Sequence, residues 1–258
     1  MTSTIQQRRE AILAHAYQDG HVSVRRLAEE LNVSEATVRR DLQGLAAEGA
    51  LHLNHGGASV ARVSEASFLA RSTQNIEAKK LIAERAAQLI EDGEQIFIDS
   101  GTTCYCMAPY LRAKKGVSVI LNSVRTALEL YNPSLNVVLL GGQYRPDRMD
   151  VIGPMTIDAI DRLRGYRAFI GTDGLGMDFG LTATDMESAH LFGMAARNAR
   201  EVVLVVDSSK FDAPSLHKSI DFDAVSTIVT NQIPSPTWCD FLSGKNIKII
   251  STDPEKQS

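Results

Sequence analysis

Seven short runs of β-branched and aliphatic residues punctuate the larger, C-terminal part of this chain, and most are separated by a segment of helical period. The runs are residues 95–98, 117–121, 137–140, 168–170, 202–206, 228–229 and 247–250. Runs such as Val202-Val203-Leu204-Val205-Val206 do not alternate with polar residues, so each strand is expected to be covered on both faces. The segments 102–111, 124–131, 156–163, 186–199 and 236–242 carry amphipathic helical patterns, and a further helix is expected over about 75–90, ending at Asp92-Gly93. Such repetition predicts an α/β fold with an open, mostly parallel sheet and helices on both sides.

The first 58 residues follow a different plan. Ser34 is a good N-cap, and Val38, Leu42 and Leu45 then fall on one face of a helix. At about 100° per residue the opposite face carries Ala36, Arg40 and Gln43, flanked by Thr37 and Arg39, with Glu35 in the first turn. Small and polar side chains with guanidinium forks suit a DNA groove. Ser23 caps a preceding short helix over 24–31, and Asn32 tolerates the left-handed turn that joins the two. Upstream, Ile5, Ile12, Leu13 and Ala16 mark another helix ending near Gly20. Downstream, Glu48-Gly49 is a helix stop, residues 50–53 alternate as a strand, and His55-Gly56-Gly57 is the tip of a wing. A winged helix-turn-helix results, with Ser34, Glu35, Ala36, Thr37, Arg39, Arg40, Gln43 and His55 as candidate contacts to double-stranded operator DNA. On periodicity alone, a three-helix bundle that binds protein, or nothing, is the alternative.

Charge bears on how such a head would work. Arg8, Arg9, Arg25, Arg26, Arg39 and Arg40 stand against Glu10, Asp19, Glu29, Glu30, Glu35, Asp41 and Glu48, so the head is not basic overall. A non-specific tracker of phosphates would be more positive; joined heads in a dimer or larger assembly gain affinity instead. The expected plan is a DNA-binding domain over 1–58, a connector of small polar residues over 59–75 and a sensing domain over 76–258. No apolar run reaches membrane-spanning length and no signal-peptide core opens the chain, so a cytoplasmic location is expected. Cys104, Cys106 and Cys239 lack the spacing of a disulfide framework or zinc site, no metal is expected, and His190 stands alone on its helix.

The residues that follow the strands share one chemistry. They are Asp99-Ser100-Gly101-Thr102-Thr103, Asn122-Ser123, Gly141-Gly142, Gly171-Thr172-Asp173-Gly174 and Asp207-Ser208-Ser209-Lys210. Open α/β sheets bind ligands outside the carboxyl ends of their strands. Ser100 to Thr103 open a helix, so amides, hydroxyls and the positive end of a dipole are expected to converge on an anion. Lys210 adds a full charge, as do Arg145 or Arg148, while Asp99, Asn122, Asp173 and Asp207 are acceptors for sugar hydroxyls. A small phosphorylated sugar or polyol satisfies both sets. No nucleotide P-loop or dinucleotide fingerprint is present, and no cofactor is expected. The competing class is a sugar-phosphate isomerase or deaminase with an appended head, in which Asp99, Asp173, Asp207 or Glu187 is the base and Lys210 the electrophile.

These motifs together resemble the DeoR family of bacterial sugar-metabolism regulators over nearly the whole chain. The head match is carried by residues 20–28, 33–42 and His55-Gly56-Gly57-Ala58. In the larger part it is carried by residues 99–103, Leu140-Gly141-Gly142 with Arg145, Gly153-Pro154, residues 171–174, Glu187 and Asp207-Ser208-Ser209-Lys210-Phe211. The resemblance implies a repressor whose sensor is similar in fold to ribose-5-phosphate isomerase and glucosamine-6-phosphate deaminase. It also implies a phosphorylated-sugar effector, a place for Glu187 in its site, and assembly as a homodimer or homotetramer. Leu53 stands where the family commonly has a basic wing residue, which puts the wing's phosphate contact in doubt, with His52, Asn54 or His55 as weaker substitutes.

Overall fold

The computed structural model describes residues 5–19, 21–47, 51–60, 68 and 71–253. The chain divides into two compact units, Met1–Gln74 and Asn75–Ser258. In the first, α1 (Ile5–Asp19) leads into β1 (His21–Ser23), α2 (Val24–Glu30) and α3 (Glu35–Ala47), then the hairpin β2 (Leu51–Asn54) and β3 (Gly57–Val60). Ser23 caps α2 by accepting the Arg26 N–H, and Asn32 takes the left-handed conformation (φ 52°) at the α2–α3 turn. Ile12, Ala16, Leu27, Val38, Leu42, Leu45 and Leu51 close one small core. Two features were not legible locally. β1 joins the hairpin to make a three-stranded antiparallel sheet, and β3 continues to Val60, two residues into the stretch read as connector. The helix stop at Glu48-Gly49 and most of the connector lie outside the described residues.

The second unit opens with α4 (Ile76–Ala87) and is organised by one seven-stranded sheet. Its strands are β4 (Gln95–Ile98), β5 (Ser118–Leu121), β6 (Asn136–Leu139), β9 (Arg167–Ile170), β12 (Glu201–Val205), β14 (Thr227–Thr230) and β15 (Lys248–Ser251). Every pairing is parallel, in the order β15-β14-β12-β9-β4-β5-β6. The chain steps from β4 out to β6, returns to the other side of β4 at β9, and continues outward. The sheet therefore reverses between β4 and β9, where open α/β sheets place a ligand crevice.

Alternation of side chains divides the core into two layers. Ile96, Ile98, Val119, Leu121, Phe169, Val203 and Val205 meet α4 through Ile82, Ala83 and Ala86. Phe97, Ile120, Ala168, Ile170 and Leu204 face the other way, toward α8 (Pro154–Asp161), α9 (Met186–Asn198) and α10 (Pro236–Gly244). The helix expected over 102–111 is two single turns, α5 (Thr102–Tyr105) and α6 (Ala108–Leu111), with Pro109 in the first turn of α6. After β5 comes α7 (Val124–Glu129).

Small antiparallel elements fill what reads as loop. The hairpin of β7 (Gln143–Arg145) and β8 (Asp150–Ile152) follows β6; β10 (Gly174–Gly176), β11 (Gly180–Ala183) and β13 (His217–Ile220) form a separate sheet. Their glycines read as turns, yet a Cβ at Gly174 would lie 1.7 Å from the Ala213 carbonyl oxygen, so close backbone approach selects glycine there. No helix among the described residues is long and apolar enough to cross a membrane.

Candidate nucleic-acid interface and anion site

On α3 the buried residues are Val38, Asp41, Leu42 and Leu45, and the exposed face carries Glu35, Ala36, Arg39, Arg40 and Gln43, with Thr37 half-buried. Ser34 caps the helix by accepting the Thr37 N–H at 3.2 Å, and its Oγ lies 2.9 Å from Thr37 Oγ1. Both hydroxyls thus sit at the helix N-terminus, the end that enters a major groove first in this motif. Arg39 pairs with Glu35 at 3.1 Å, an exposed i,i+4 contact that a phosphate can replace at small cost. Arg40 has no carboxylate within ion-pair distance among the described residues, which leaves its full charge for an outside partner. His55 and Leu53 are exposed on the hairpin, and Gly56 supplies the positive φ of its turn.

Local patterns missed how the other cations are used. Arg8 Nε lies 2.5 Å from Asp41 Oδ2, with both side chains buried, so this arginine ties α1 to α3 and faces no DNA. The Asp41 hydrogen bond raises the Arg8 guanidinium above its ordinary pKa. Arg9 crosses Gly44, where a Cβ would fall 2.1 Å from its Nη2. Arg25 and Arg26 pair with Glu29 and Glu30 one turn on. The three arginine pairs therefore divide into an internal clamp, a neutralised helix face and the α3 surface.

At the carboxyl ends of the large sheet, several expected ligand groups hold the protein to itself. Asp99 Oδ1 accepts the Gly101 N–H at 2.7 Å and Oδ2 accepts the Gly171 N–H at 2.6 Å. The carboxylate thereby staples β4 to β9 across the reversal point instead of offering acceptors to a sugar. Burial lifts its pKa above the usual carboxylate range, against the pull of the Cys104 thiol and the two amides. The Thr172 hydroxyl is held by backbone groups of Gly174 and Thr182, and Asp173 accepts the N–H and hydroxyl of Thr184. Ser123 caps α7 through the Thr126 N–H, and Asp207 accepts from Ser209 and Asn75.

Arg145 and Arg148 are likewise committed. Arg145 forks onto Asp150 with two contacts of 2.7 Å and reaches Asp185 at 3.1 Å; Arg148 also binds Asp185. Ser100 joins this network by donating to Asp150 at 3.3 Å. Glu187 is exposed on the first turn of α9. Asn122 is fully buried, with Nδ2 donating to the Val151 carbonyl and Oδ1 unpartnered. Thr102, Thr103 and Lys210 are half-buried, and Gly141 is exposed. Lys210 carries no ion pair among the described residues. It follows β12, two strands from β4 and so roughly 10 Å across at the usual strand spacing. α5 is a single turn, so it contributes amides but only a small dipole, less than the sequence pattern implied.

Asp185 accepts the Ser188 N–H at 2.9 Å to start α9, a cap that helical period alone does not mark. Burial raises its pKa, but the Ser188 amide and Arg148 more than offset this and hold the carboxyl well below its ordinary range. A depressed folded-state pKa contributes stability that is complete above the unfolded carboxylate pKa and is lost as pH falls toward the folded one. Thermal melts between about pH 6 and 3 should therefore show a steepening loss, flatter in Asp185→Asn. Parallel curves for the two proteins would remove Asp185 from the acid response.

Comparison with known proteins supplies a frame for this geometry. A family model described as the DeoR-like helix-turn-helix domain matches residues 8–63, and one described as the DeoR C terminal sensor domain matches residues 74–232. The lactose phosphotransferase system repressor of Lactococcus lactis subsp. lactis is 34% identical, covering 89% of this chain and 92% of its own. The glycerol-3-phosphate regulon repressor of Escherichia coli K12 is 29% identical, covering 94% and 97%. Among solved structures, ribose 5 phosphate isomerase A from Neisseria gonorrhoeae covers 55% of each chain at 19% identity and a TM-score of 0.40.

Proposed function

Because the chain belongs to the DeoR family of transcriptional regulators, we propose that it represses a carbohydrate-utilisation operon and that a phosphorylated sugar, bound at the strand ends of the sensor, controls its hold on operator DNA. The observation that carries this is the pairing of two open charges, Arg40 on the exposed face of α3 and Lys210 beside the reversal of the sheet, in a chain whose other arginines at both places are internally matched. In the cytoplasm, a homodimer or homotetramer presents α3 of two heads to half-sites separated by whole helical turns. Ser34, Thr37, Ala36, Arg40 and Gln43 meet the groove, while Arg39 and His55 meet phosphates. Relatives that repress a lactose phosphotransferase system and a glycerol-3-phosphate regulon support this substrate class.

The same relatives are repressors and not enzymes. Of the four candidate bases, Asp99, Asp173 and Asp207 accept from neighbouring backbone and hydroxyl groups, and Glu187 is exposed on the first turn of α9.

For control, the effector must bind the DNA-free arrangement more tightly than the DNA-bound one, since equal affinity shifts no population. A panel of sugar phosphates tested by thermal shift should contain one that raises the melting temperature of the sensor. Lys210→Ala should weaken that ligand by at least about tenfold, the loss of one charge-assisted contact, and leave the ligand-free melting temperature unchanged. If no phosphosugar stabilises the protein, or if the variant binds as tightly as the parent, the assignment of the anion site to Lys210 is wrong.

A further inference from the structure

Asn75 is the first residue of the sensor unit and stands one position before α4, where the chain arrives from the head. Its backbone is left-handed, with φ 54° and ψ 33°, a conformation that asparagine tolerates better than most residues. An asparagine before a helix ordinarily turns its side chain onto the free amides of the first turn. Here it makes no such cap. The Nδ2 group instead reaches far along the chain, donating to Asp207 Oδ1 at 3.0 Å and to Ser209 Oγ at 3.3 Å. Asn75 is itself exposed, so burial does not force this reach.

Both acceptors belong to the turn that presents Lys210. The buried Asp207 and the 3-10 turn Ser208–Lys210 follow β12. One oxygen, Asp207 Oδ1, accepts from Asn75, from the Ser209 N–H at 3.1 Å and from the Ser209 hydroxyl. On its other side the turn is held by Asn231, just after β14, whose Oδ1 accepts the Ser208 N–H at 2.8 Å. A hydroxyl has a single proton. That of the exposed Ser209 is engaged by Asp207 while its oxygen receives Asn75, so an anion beside Lys210 competes for it.

We propose that Asn75 is the positioning residue through which the anion site acts on the chain leading to the head, an inference that rests on the site proposed above. Without an anion, Asp207 and Ser209 together hold the Asn75 carboxamide and fix the start of α4. When an anion draws the Ser209 proton, the hydroxyl turns away and Asn75 loses one of its two acceptors. The first turn of α4 is then held less firmly, since its Lys79 N–H bonds to the Asn75 carbonyl at 3.0 Å. The two arrangements differ in hydrogen bonds, which is the differential interaction that coupling between sites requires.

Hydrogen exchange of the full chain, read by mass spectrometry with inorganic phosphate, glycerol 3-phosphate and ribose 5-phosphate as probes, tests this. In the parent, a binding probe should slow exchange over residues 207–210 and speed it over residues 76–83 by about twofold to tenfold, the net worth of one hydrogen bond. Asn75→Gly keeps the left-handed turn and deletes the carboxamide. In that variant the response at 207–210 should persist and the response at 76–83 should vanish. A parent in which 207–210 answers and 76–83 does not would overturn the inference and leave the anion site standing. An undiminished response at 76–83 in the variant would make Asn75 a structural tie only and overturn it equally. If neither segment answers to any probe, the anion site is wrong and the inference falls with it. Should Asn75→Gly fail to fold, Asn75→Asp decides on the same criterion, since it keeps the turn and sets carboxylate against carboxylate.

Discussion

Arg40→Ala should abolish operator binding at physiological salt while leaving the melting temperature of the head unchanged. A well-placed arginine contact to a guanine edge is worth roughly 1–3 kcal/mol of discrimination. Two heads on one operator double the loss, which corresponds to roughly thirtyfold to twenty-thousandfold weaker binding. Stability should not follow, because Arg40 is exposed and makes no ion pair among the described residues. Arg39→Ala is the instructive contrast. Arg39 already pairs with Glu35, so its removal frees a carboxylate near the DNA and should weaken binding uniformly across sequences, with a shallower salt dependence. Gel-shift titrations of both variants at two salt concentrations separate the cases. An Arg40→Ala protein that shifts its operator at the parental affinity would show that this face of α3 does not enter the groove.

The contrast between these two neighbouring arginines also shows what a sequence reveals. Helical period placed Val38, Leu42 and Leu45 inward and Arg40 and Gln43 outward, and the structure agrees, because burial on a helix is set by the residues of that helix. The inner strands of the sheet were legible for the same reason, since runs covered on both faces are apolar throughout, whereas the margin strand β6 has the same composition with Val138 and Leu139 exposed. Pairing over distance was not. Nothing near Asp41 in the chain says that Arg8, 33 residues earlier, will reach it. Nothing near Asp99 announces the Gly171 amide, 72 residues later. In sequence the polar residues at strand ends therefore form one ligand-binding set, whereas in the structure it divides into groups that fasten the loops, such as Asp99, Thr172 and Arg145, and half-buried groups outside that network, such as Thr102, Thr103 and Lys210. Small hairpins were lost because glycines selected by close packing look like glycines selected by turns.

That division makes Asp99→Ala the most damaging single change expected in the sensor. Asp99 is buried, and its two oxygens satisfy the Gly101 and Gly171 amides at the point where β4 and β9 part. Truncation strands both N–H groups, at about 1–3 kcal/mol each. For a domain of this size each kcal/mol lowers Tm by about 2–4 °C, so a fall on the order of 10 °C is expected by calorimetry. Asp99→Asn should recover little. Its carboxamide oxygen can accept one N–H, but the NH2 group then confronts the other, donor against donor. Asp173→Ala, which releases contacts to the exposed Thr184, should cost much less. Ligand response should fail together with stability in the Asp99 variants, because the loops bearing Thr102, Thr103 and Gly171 lose their common anchor. In Lys210→Ala the ligand response should fail alone. An Asp99→Ala protein with parental stability and an intact thermal response to sugar phosphates would mean that the two loops hold their places without the staple.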